Sequence, residues 1–224
     1  MTRILLHLMV SAVLATVASA DQYWIAYEGN DFPENEGWTR LWNGPIAERW
    51  IEDGALVIDA RESGTTCEWY NWYPDTVGPD LGELFLLQWR VKVEDVSGDW
   101  IGVNLALFSD DCWGVGFYLT EDTIRSAYEP GVSAQFEPDE FHHFELRSSD
   151  MRSYHLYIDG AIAIEGSFWE ALWSNKVLWG KSSTGTTCLS SWDYFRFGVV
   201  PEPSAGLTVI ALLVAFVVTR NSRG

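Results

Sequence analysis

The feature that most constrains the fold is an alternation of apolar and polar residues that recurs along the middle of the chain. Residues 84–93 carry the longest example, in which every second side chain is apolar: Phe85, Leu87, Trp89, Val91 and Val93. Successive side chains of a strand point to opposite sides, so such a segment is a half-buried strand. The pattern recurs over 100–108 and 113–119, whereas helical spacing is confined to a turn around 168–173. We therefore predict an all-β chain.

Turn residues separate these strands at short intervals. The pair Asp159 and Gly160 lies between two alternating runs, 154–158 and 161–165. This pair is a strong hairpin signal, because both central residues of the tight turn need a positive φ. Several short strands with turns between them are typical of two antiparallel sheets packed face to face. We predict one such sandwich over residues 21–200.

The first twenty residues have the parts of a secretory signal. The basic residue Arg3 is followed by an apolar stretch over 4–17, and small residues stand at Ala18 and Ala20. Small residues at these two positions fit the cleavage pocket of signal peptidase, and the apolar stretch is short for a membrane anchor. We predict a signal helix over 1–20 that signal peptidase removes, which places the chain in an exported class. An uncleaved anchor is the alternative.

Residues 201–224 form the other unusual segment, in which a Pro-Glu-Pro motif precedes an apolar run and a basic end. The motif and the first basic residue after the run are Pro201, Glu202, Pro203 and Arg220. The run predicts a hydrophobic helix over about 205–219, roughly 22 Å long at 1.5 Å per residue. The hydrocarbon core of a bilayer is about 30 Å thick, so this helix is a marginal membrane span.

This order of motif, apolar run and basic end resembles the PEP-CTERM sorting signal. The resemblance implies that an exosortase-type processing enzyme is a partner of the chain. It also implies that the chain is held in the membrane at least transiently and is delivered to the cell envelope, the outer surface or the extracellular matrix. A permanent anchor preceded by a Pro-rich linker is the alternative.

The charge of the chain argues against one class of partner. Its 32 acidic residues outnumber its 14 basic residues, for a formal net charge of −18. A polyanion would be repelled by such a surface, so we do not expect nucleic acid to bind.

The strand predicted over 141–146 begins with the sequence Phe-His-His-Phe. The next segment, 154–160, ends in Tyr-Ile-Asp-Gly. Together with the final strand, 191–196, these segments are similar to the laminin-G-like and concanavalin-A-like superfamily of lectins and glucanases. The resemblance implies a jelly roll of two antiparallel sheets, the concave one binding glycans or Ca²⁺ in some members. It implies no particular activity.

Aromatic residues are concentrated over 68–73. The strand period places Trp69, Asn71 and Tyr73 on one side. Flat aromatic rings beside hydrogen-bonding side chains are typical of surfaces that stack sugars, so these three residues are the candidate glycan-binding set, with extracellular polysaccharide as the partner. Packing of the rings into the core is the alternative.

No catalytic constellation stands out. His142 and His143 are adjacent in a strand and face opposite sides, and the acidic stretch 137–140 contains Pro138, which breaks strand pairing. We expect a non-catalytic envelope or matrix protein whose sandwich binds glycan or is structural. A glucanase-type glycoside hydrolase and a calcium-dependent adhesion module stay open as alternatives.

No cofactor is predicted, although Asp110 and Asp111 offer oxygen ligands that would suit Ca²⁺. The chain contains 3 cysteines. In an oxidising compartment this number suggests one disulfide and one free thiol. Both Cys67 and Cys188 end the tetrapeptide Gly-Thr-Thr-Cys, which favours their pairing, and the two pairings that involve Cys112 stay open.

Overall fold

The computed structural model describes residues 23–42, 47–62, 68–72, 83–97, 101–107, 113–170, 176–181 and 187–201. The strands in chain order are β1 (Tyr23–Tyr27), β2 (Thr39–Trp42), β3 (Glu48–Glu52), β4 (Ala55–Asp59), β5 (Glu68–Trp72), β6 (Glu83–Ser97), β7 (Ile101–Leu107), β8 (Trp113–Leu119), β9 (Thr123–Ser126), β10 (Ser133–Gln135), β11 (His142–Ser148), β12 (Ser153–Ile158), β13 (Ala161–Ser167), β14 (Trp169–Glu170), β15 (Lys176–Lys181) and β16 (Thr187–Pro201). The described helical structure is one 3₁₀ turn, Pro33–Glu36.

The strands form two sheets of eight strands each. Sheet A has the order β13-β12-β11-β6-β16-β4-β3, and β1 pairs with the second half of β16. Sheet B has the order β10-β9-β8-β7-β15-β5-β2, and β14 pairs with β8. The pairings are antiparallel, so the prediction of an all-β chain with two antiparallel sheets is confirmed.

Strand β6 shows why these residues form a sandwich. The five alternating apolar side chains predicted for one face are all buried, while the residues between them are half-buried on the other side. Strand β8 repeats the arrangement, with Val115, Phe117 and Leu119 in the core. Since β6 and β8 each direct their large apolar side chains to one face, two sheets must cover each other, and a single cluster of buried residues draws on both.

Aromatic side chains dominate the contact between the sheets. The ring of Trp179 in β15 lies 5.0 Å from that of Trp192 and 5.6 Å from that of Phe195, both in β16 of sheet A. Tyr27 and Tyr70 also pack on Trp179, at 5.0 and 4.6 Å between ring centroids. Much of the aromatic content of the chain therefore serves packing.

The Asp159 and Gly160 hairpin connects β12 to β13 as predicted. The φ angles of these two residues are 50° and 83°, the left-handed values that the tight turn requires. The carboxylate of Asp159 accepts a hydrogen bond from the backbone N–H of His143 at 2.9 Å, which ties the turn to β11.

The two predicted terminal helices, 1–20 and 205–219, lie outside the described residues. Within the described ranges, no helix is long and apolar enough to cross a membrane. Of the sorting motif, Pro201 is the last residue of β16, while Glu202, Pro203 and Arg220 lie outside the described residues.

Candidate functional site

Two glycines of β8 lie on the outer face of sheet B. Because Val115, Phe117 and Leu119 point into the core, Gly114 and Gly116 of the same strand lie on the outer face. Both glycines are buried, so neighbouring groups already shield this strip of backbone from solvent.

An aromatic pair borders this strip. Trp169 of β14 is the cross-strand partner of Gly114, and cross-strand partners share a face. Its ring lies 4.2 Å from the ring of Tyr128, and Tyr128 is 44% exposed. The indole Nε1 of Trp169 is buried and has no hydrogen-bond partner among the described residues. The pair therefore presents the accessible ring of Tyr128, while Trp169 Nε1 is a buried donor without a described partner.

Asn71 of β5 is the second unusual group on this face. Its neighbour Tyr70 is buried in the core, so the Asn71 side chain points to the other side of the strand. Asn71 is 1% exposed, yet neither Oδ1 nor Nδ2 has a hydrogen-bond partner among the described residues. A buried amide without a partner costs about 1–3 kcal/mol, so an unpaired amide in a folded protein calls for a functional explanation.

Backbone register places the other groups of this face relative to Asn71. Asn71 is opposite Thr39 on one side and Leu178 on the other. Leu178 is in turn opposite Asn104 of β7, and Asn104 is opposite Gly116. The Asn71 amide and Gly116 therefore lie on the same row of sheet B, with β15 and β7 between their strands.

Of the predicted glycan-binding set, the structure describes Asn71 in full. Trp69 is described by its backbone only, which pairs with Leu41 and Gly180, and Tyr73 lies outside the described residues. The role of the three residues stays a prediction. The aromatic pair was missed because Trp169 was expected in a helical turn, whereas it forms β14 with Glu170. Its pairing with β8 depends on residues far away in the sequence.

The outer face of sheet A is built differently, around the carboxylate of Glu145. Glu145 is 8% exposed although it lies on the outer side of β11. Gln88 Nε2 donates to its Oε2, and Arg147 Nε donates to its Oε1. His143 Nε2 lies 3.7 Å from Oε2. His143 makes the largest contribution to lowering the pKa of Glu145, and Gln88 and Arg147 add to it. Together they outweigh the effect of burial, and the pKa falls to about 2.

The same network continues to Tyr194 of β16. His143 Nδ1 and the Tyr194 hydroxyl share a hydrogen bond, and burial raises the pKa of Tyr194. The guanidinium of Arg196 lies 4.3 Å from the ring centroid of Tyr194, and Glu28 accepts from Arg196 Nε at 2.9 Å. The exposed polar groups of this face are therefore engaged with one another.

Beside this network, an open cleft of about 300 Å³ is lined by Leu84, Arg147, Ser148, Ser149, Ser153, His155 and Tyr157. The Arg147 guanidinium covers the ring of Tyr157 at 4.4 Å, so that ring is not free to stack on a ligand.

His142 belongs to the core side of β11, as its alternation with His143 predicts. It is 6% exposed, with Nδ1 2.7 Å from Asp159 Oδ2 and Nε2 2.7 Å from the carbonyl oxygen of Glu137. Both ring nitrogens are thus used for structure.

Among the residues that the structure describes, no group of three or more His, Cys, Asp or Glu side chains could hold a metal ion. The calcium candidates Asp110 and Asp111 lie outside those residues. Cys188 is buried and forms no disulfide with a described residue, and burial raises the pKa of its thiol to about 12. Cys67 lies outside the described residues, so its bridge to Cys188 stays a prediction.

Solved structures share this fold at low sequence identity. The carbohydrate esterase of the Shiga toxin-encoding bacteriophage phi24B is 13% identical, with a TM-score of 0.55 over 82% of this chain and 100% of that chain. An endo-1,3-beta-glucanase from Streptomyces sioyaensis is 11% identical, with a TM-score of 0.52 over 80% and 90% of the two chains.

A protein of unknown function from Shewanella oneidensis is 13% identical, with a TM-score of 0.53 over 83% of this chain and 90% of that chain. No family model matches the sequence, and no curated protein matches it. The likeness at this identity shows the fold: a β-sandwich that carbohydrate-active proteins also use.

These neighbours correct one prediction. The domain was expected to be non-catalytic because its sequence contains no familiar catalytic motif. Its fold is nevertheless that of a carbohydrate esterase and of an endo-glucanase. The expectation that the chain is not an enzyme is therefore wrong. The absence of a short local motif is a weak argument in a β-sandwich, because the side chains of one face come from several distant strands and are not close in sequence.

Proposed function

We propose that this protein is a polysaccharide-acting enzyme of the glucanase type, which receives a glycan on the outer face of sheet B. The observation that carries the proposal is the Asn71 amide, buried and without a partner among the described residues. A sugar offers hydroxyl groups that both donate and accept hydrogen bonds, so it matches the mixed donor and acceptor character of an amide.

The aromatic pair supports the same proposal. A sugar ring has apolar faces formed by its C–H groups and a polar rim of hydroxyls. Tyr128 offers an accessible ring for such a face, and Trp169 packs against that ring at 4.2 Å.

The finer fold assignment is part of this proposal. We assign the sandwich over 21–200 to the concanavalin-A-like jelly rolls, supported by the order of the strands in both sheets and by the structural neighbours. In glycoside hydrolysis two carboxyl groups cleave the bond between sugars with a water molecule. We assign no residue to that pair.

The test is a binding and activity assay on the exported chain with soluble polysaccharides, beginning with a β-1,3-glucan. Affinity electrophoresis measures binding, and the appearance of new reducing ends measures cleavage of glycosidic bonds. We expect Trp169→Ala to weaken binding about ten-fold, since one aromatic contact contributes about 0.5–1.5 kcal/mol beyond its buried area.

The matched control is Trp50→Ala. Trp50 is 37% exposed on β3 of sheet A, where its Nε1 donates to Glu52 at 2.9 Å. This variant should bind as the parent chain does. If the gel shows no binding to any polysaccharide and no reducing ends appear, the proposal is wrong. If the chain binds a polysaccharide and Trp169→Ala binds it equally well, the glycan site lies away from Trp169.

We further propose that the chain is exported to the cell envelope or extracellular matrix through its signal segment and is sorted through Pro201, Glu202 and Pro203 by an exosortase-type enzyme. The order of motif, apolar run and basic residues supports this proposal. Mass spectrometry of the envelope-associated protein tests it. A mature chain that begins at Asp21 and ends near Pro203 is expected, whereas an intact 205–219 segment would indicate a permanent anchor.

Calcium is tested separately. If Asp110 and Asp111 bind Ca²⁺, millimolar Ca²⁺ should raise the midpoint of thermal unfolding, because a ligand that binds only the folded state stabilises it. An unchanged midpoint would remove the adhesion alternative.

A further inference from the structure

The sorting motif begins inside the folded sheet. Strand β16 runs to Pro201, and its end pairs with β6 through Val200 opposite Leu84 and Pro201 opposite Glu83. The strand therefore does not end before the motif; its last residue is the first proline.

The end of β16 is held on both sides. Val199 is opposite Phe85 of β6 and also opposite Tyr23 of β1. The side chain of Val199 packs against the core, and Phe197 is 1% exposed. Freeing the residues just before the motif would break two hydrogen-bonded ladders and expose apolar surface.

The predicted apolar run lies close to the end of β16 along the chain. Five residues lie between Pro201 and Leu207, where the run begins. An extended chain spans at most about 3.5 Å per residue, so the folded end of sheet A lies within about 20 Å of the start of that run. A membrane-bound enzyme that takes the motif as an extended peptide has little room between the sandwich and the bilayer.

We infer that folding of the β1-β16-β6 seam restricts access of the processing enzyme to the motif, so that processing competes with folding. This inference rests on the proposed sorting function. The chain is cut fastest while the end of β16 is unpaired, and a folded sandwich remains attached to the membrane for longer.

The test follows processing of the full chain in its host by pulse-chase. An eight-residue Gly-Ser spacer inserted after Val200 moves the motif out of β16 without changing the motif itself. We expect the half-time of processing to shorten by about five-fold. The matched control carries the same spacer between Asp139 and Glu140, two exposed turn residues before β11, and should be processed at the parental rate.

A second variant loosens the seam without lengthening the chain. Ile25 of β1 packs against the core opposite Phe197, and Ile25→Ala should shorten the half-time by about two-fold. Circular dichroism of the accumulated protein checks that the variant still folds. Equal half-times for the parent, the spacer variant and Ile25→Ala would overturn the inference alone, and the absence of any cut product would overturn the sorting proposal together with it.

Discussion

On the outer face of sheet A, the buried carboxylate of Glu145 contacts Gln88, His143 and Arg147. On the outer face of sheet B, the buried amide of Asn71 forms no hydrogen bond with a described residue. The aromatic rings differ in the same way. Arg147 covers Tyr157, while Tyr128 stays exposed. The polar groups of sheet A therefore satisfy one another, whereas the Asn71 amide has no partner among the described residues.

The largest effect should come from breaking the network of sheet A. Glu145→Ala should lower the free energy of unfolding by about 2 kcal/mol, because the hydrogen bonds that the charged carboxylate accepts are lost and such a bond contributes about 1.5–3 kcal/mol. Urea unfolding measures the difference. The control Glu165→Ala removes a carboxylate on β13 that is 71% exposed, and its effect should stay within about 0.5 kcal/mol. Similar losses for both variants would contradict the central role of Glu145.

The pH dependence of stability should report the same carboxylate. The pKa of Glu145 is about 2 in the folded chain against 4.5 for the free side chain, so folding favours the ionised form. This stability is fully present above about pH 4.5 and is lost as the pH falls toward about 2. The loss is on the order of 2 kcal/mol, because solvent at the exposed Arg147 screens part of the 1.36 kcal/mol per pKa unit.

Urea unfolding at neutral pH and at a series of acidic values measures this loss. In Glu145→Ala the loss of stability with falling pH should be smaller. The remaining loss reflects other carboxyl groups, such as Asp159. Burial raises the pKa of Asp159, but hydrogen bonds from His142 and His143 lower it by more. An unchanged decline in Glu145→Ala would show that other groups carry the acid sensitivity.

The aromatic rings test whether the two faces differ in ligand binding. Tyr128→Ala should weaken glycan binding about five-fold, since its exposed ring is free to stack on a sugar. Tyr157→Ala, on the Arg147-covered ring, should leave the affinity unchanged. Affinity electrophoresis measures the glycan affinity of both variants. A larger loss of affinity in Tyr157→Ala than in Tyr128→Ala would place the glycan on sheet A.

The smallest effect should come from the two amides. Gln88→Ala should lower the free energy of unfolding by about 1 kcal/mol, because the hydrogen bond to Glu145 is lost. Asn71→Ala should leave the free energy of unfolding unchanged or raise it by up to about 1 kcal/mol, because a buried group without a partner is removed. Glycan affinity should fall in Asn71→Ala alone. A clear loss of stability in that variant would show that the amide has a structural partner.

Much of the fold could be predicted from local pattern. Strand β6 needed only its own alternation, and the hairpin at Asp159 and Gly160 needed only the φ preference of its two residues. The outer face of sheet B could be predicted in part. The alternation of β8 shows that Gly114 and Gly116 share a side, but nothing in that segment shows that Trp169 lies beside them.

The sequence by itself determined which side chains of each strand share a face, because a period of two is a local property of an extended backbone. Only the tertiary structure decided what each face meets: that Glu145 is buried among donors from β6 and β11, and that Asn71 is buried without a described partner. Strand neighbours in an antiparallel sheet come from distant segments, and their register depends on the whole core, so burial and hydrogen bonding across strands are not encoded in any one segment.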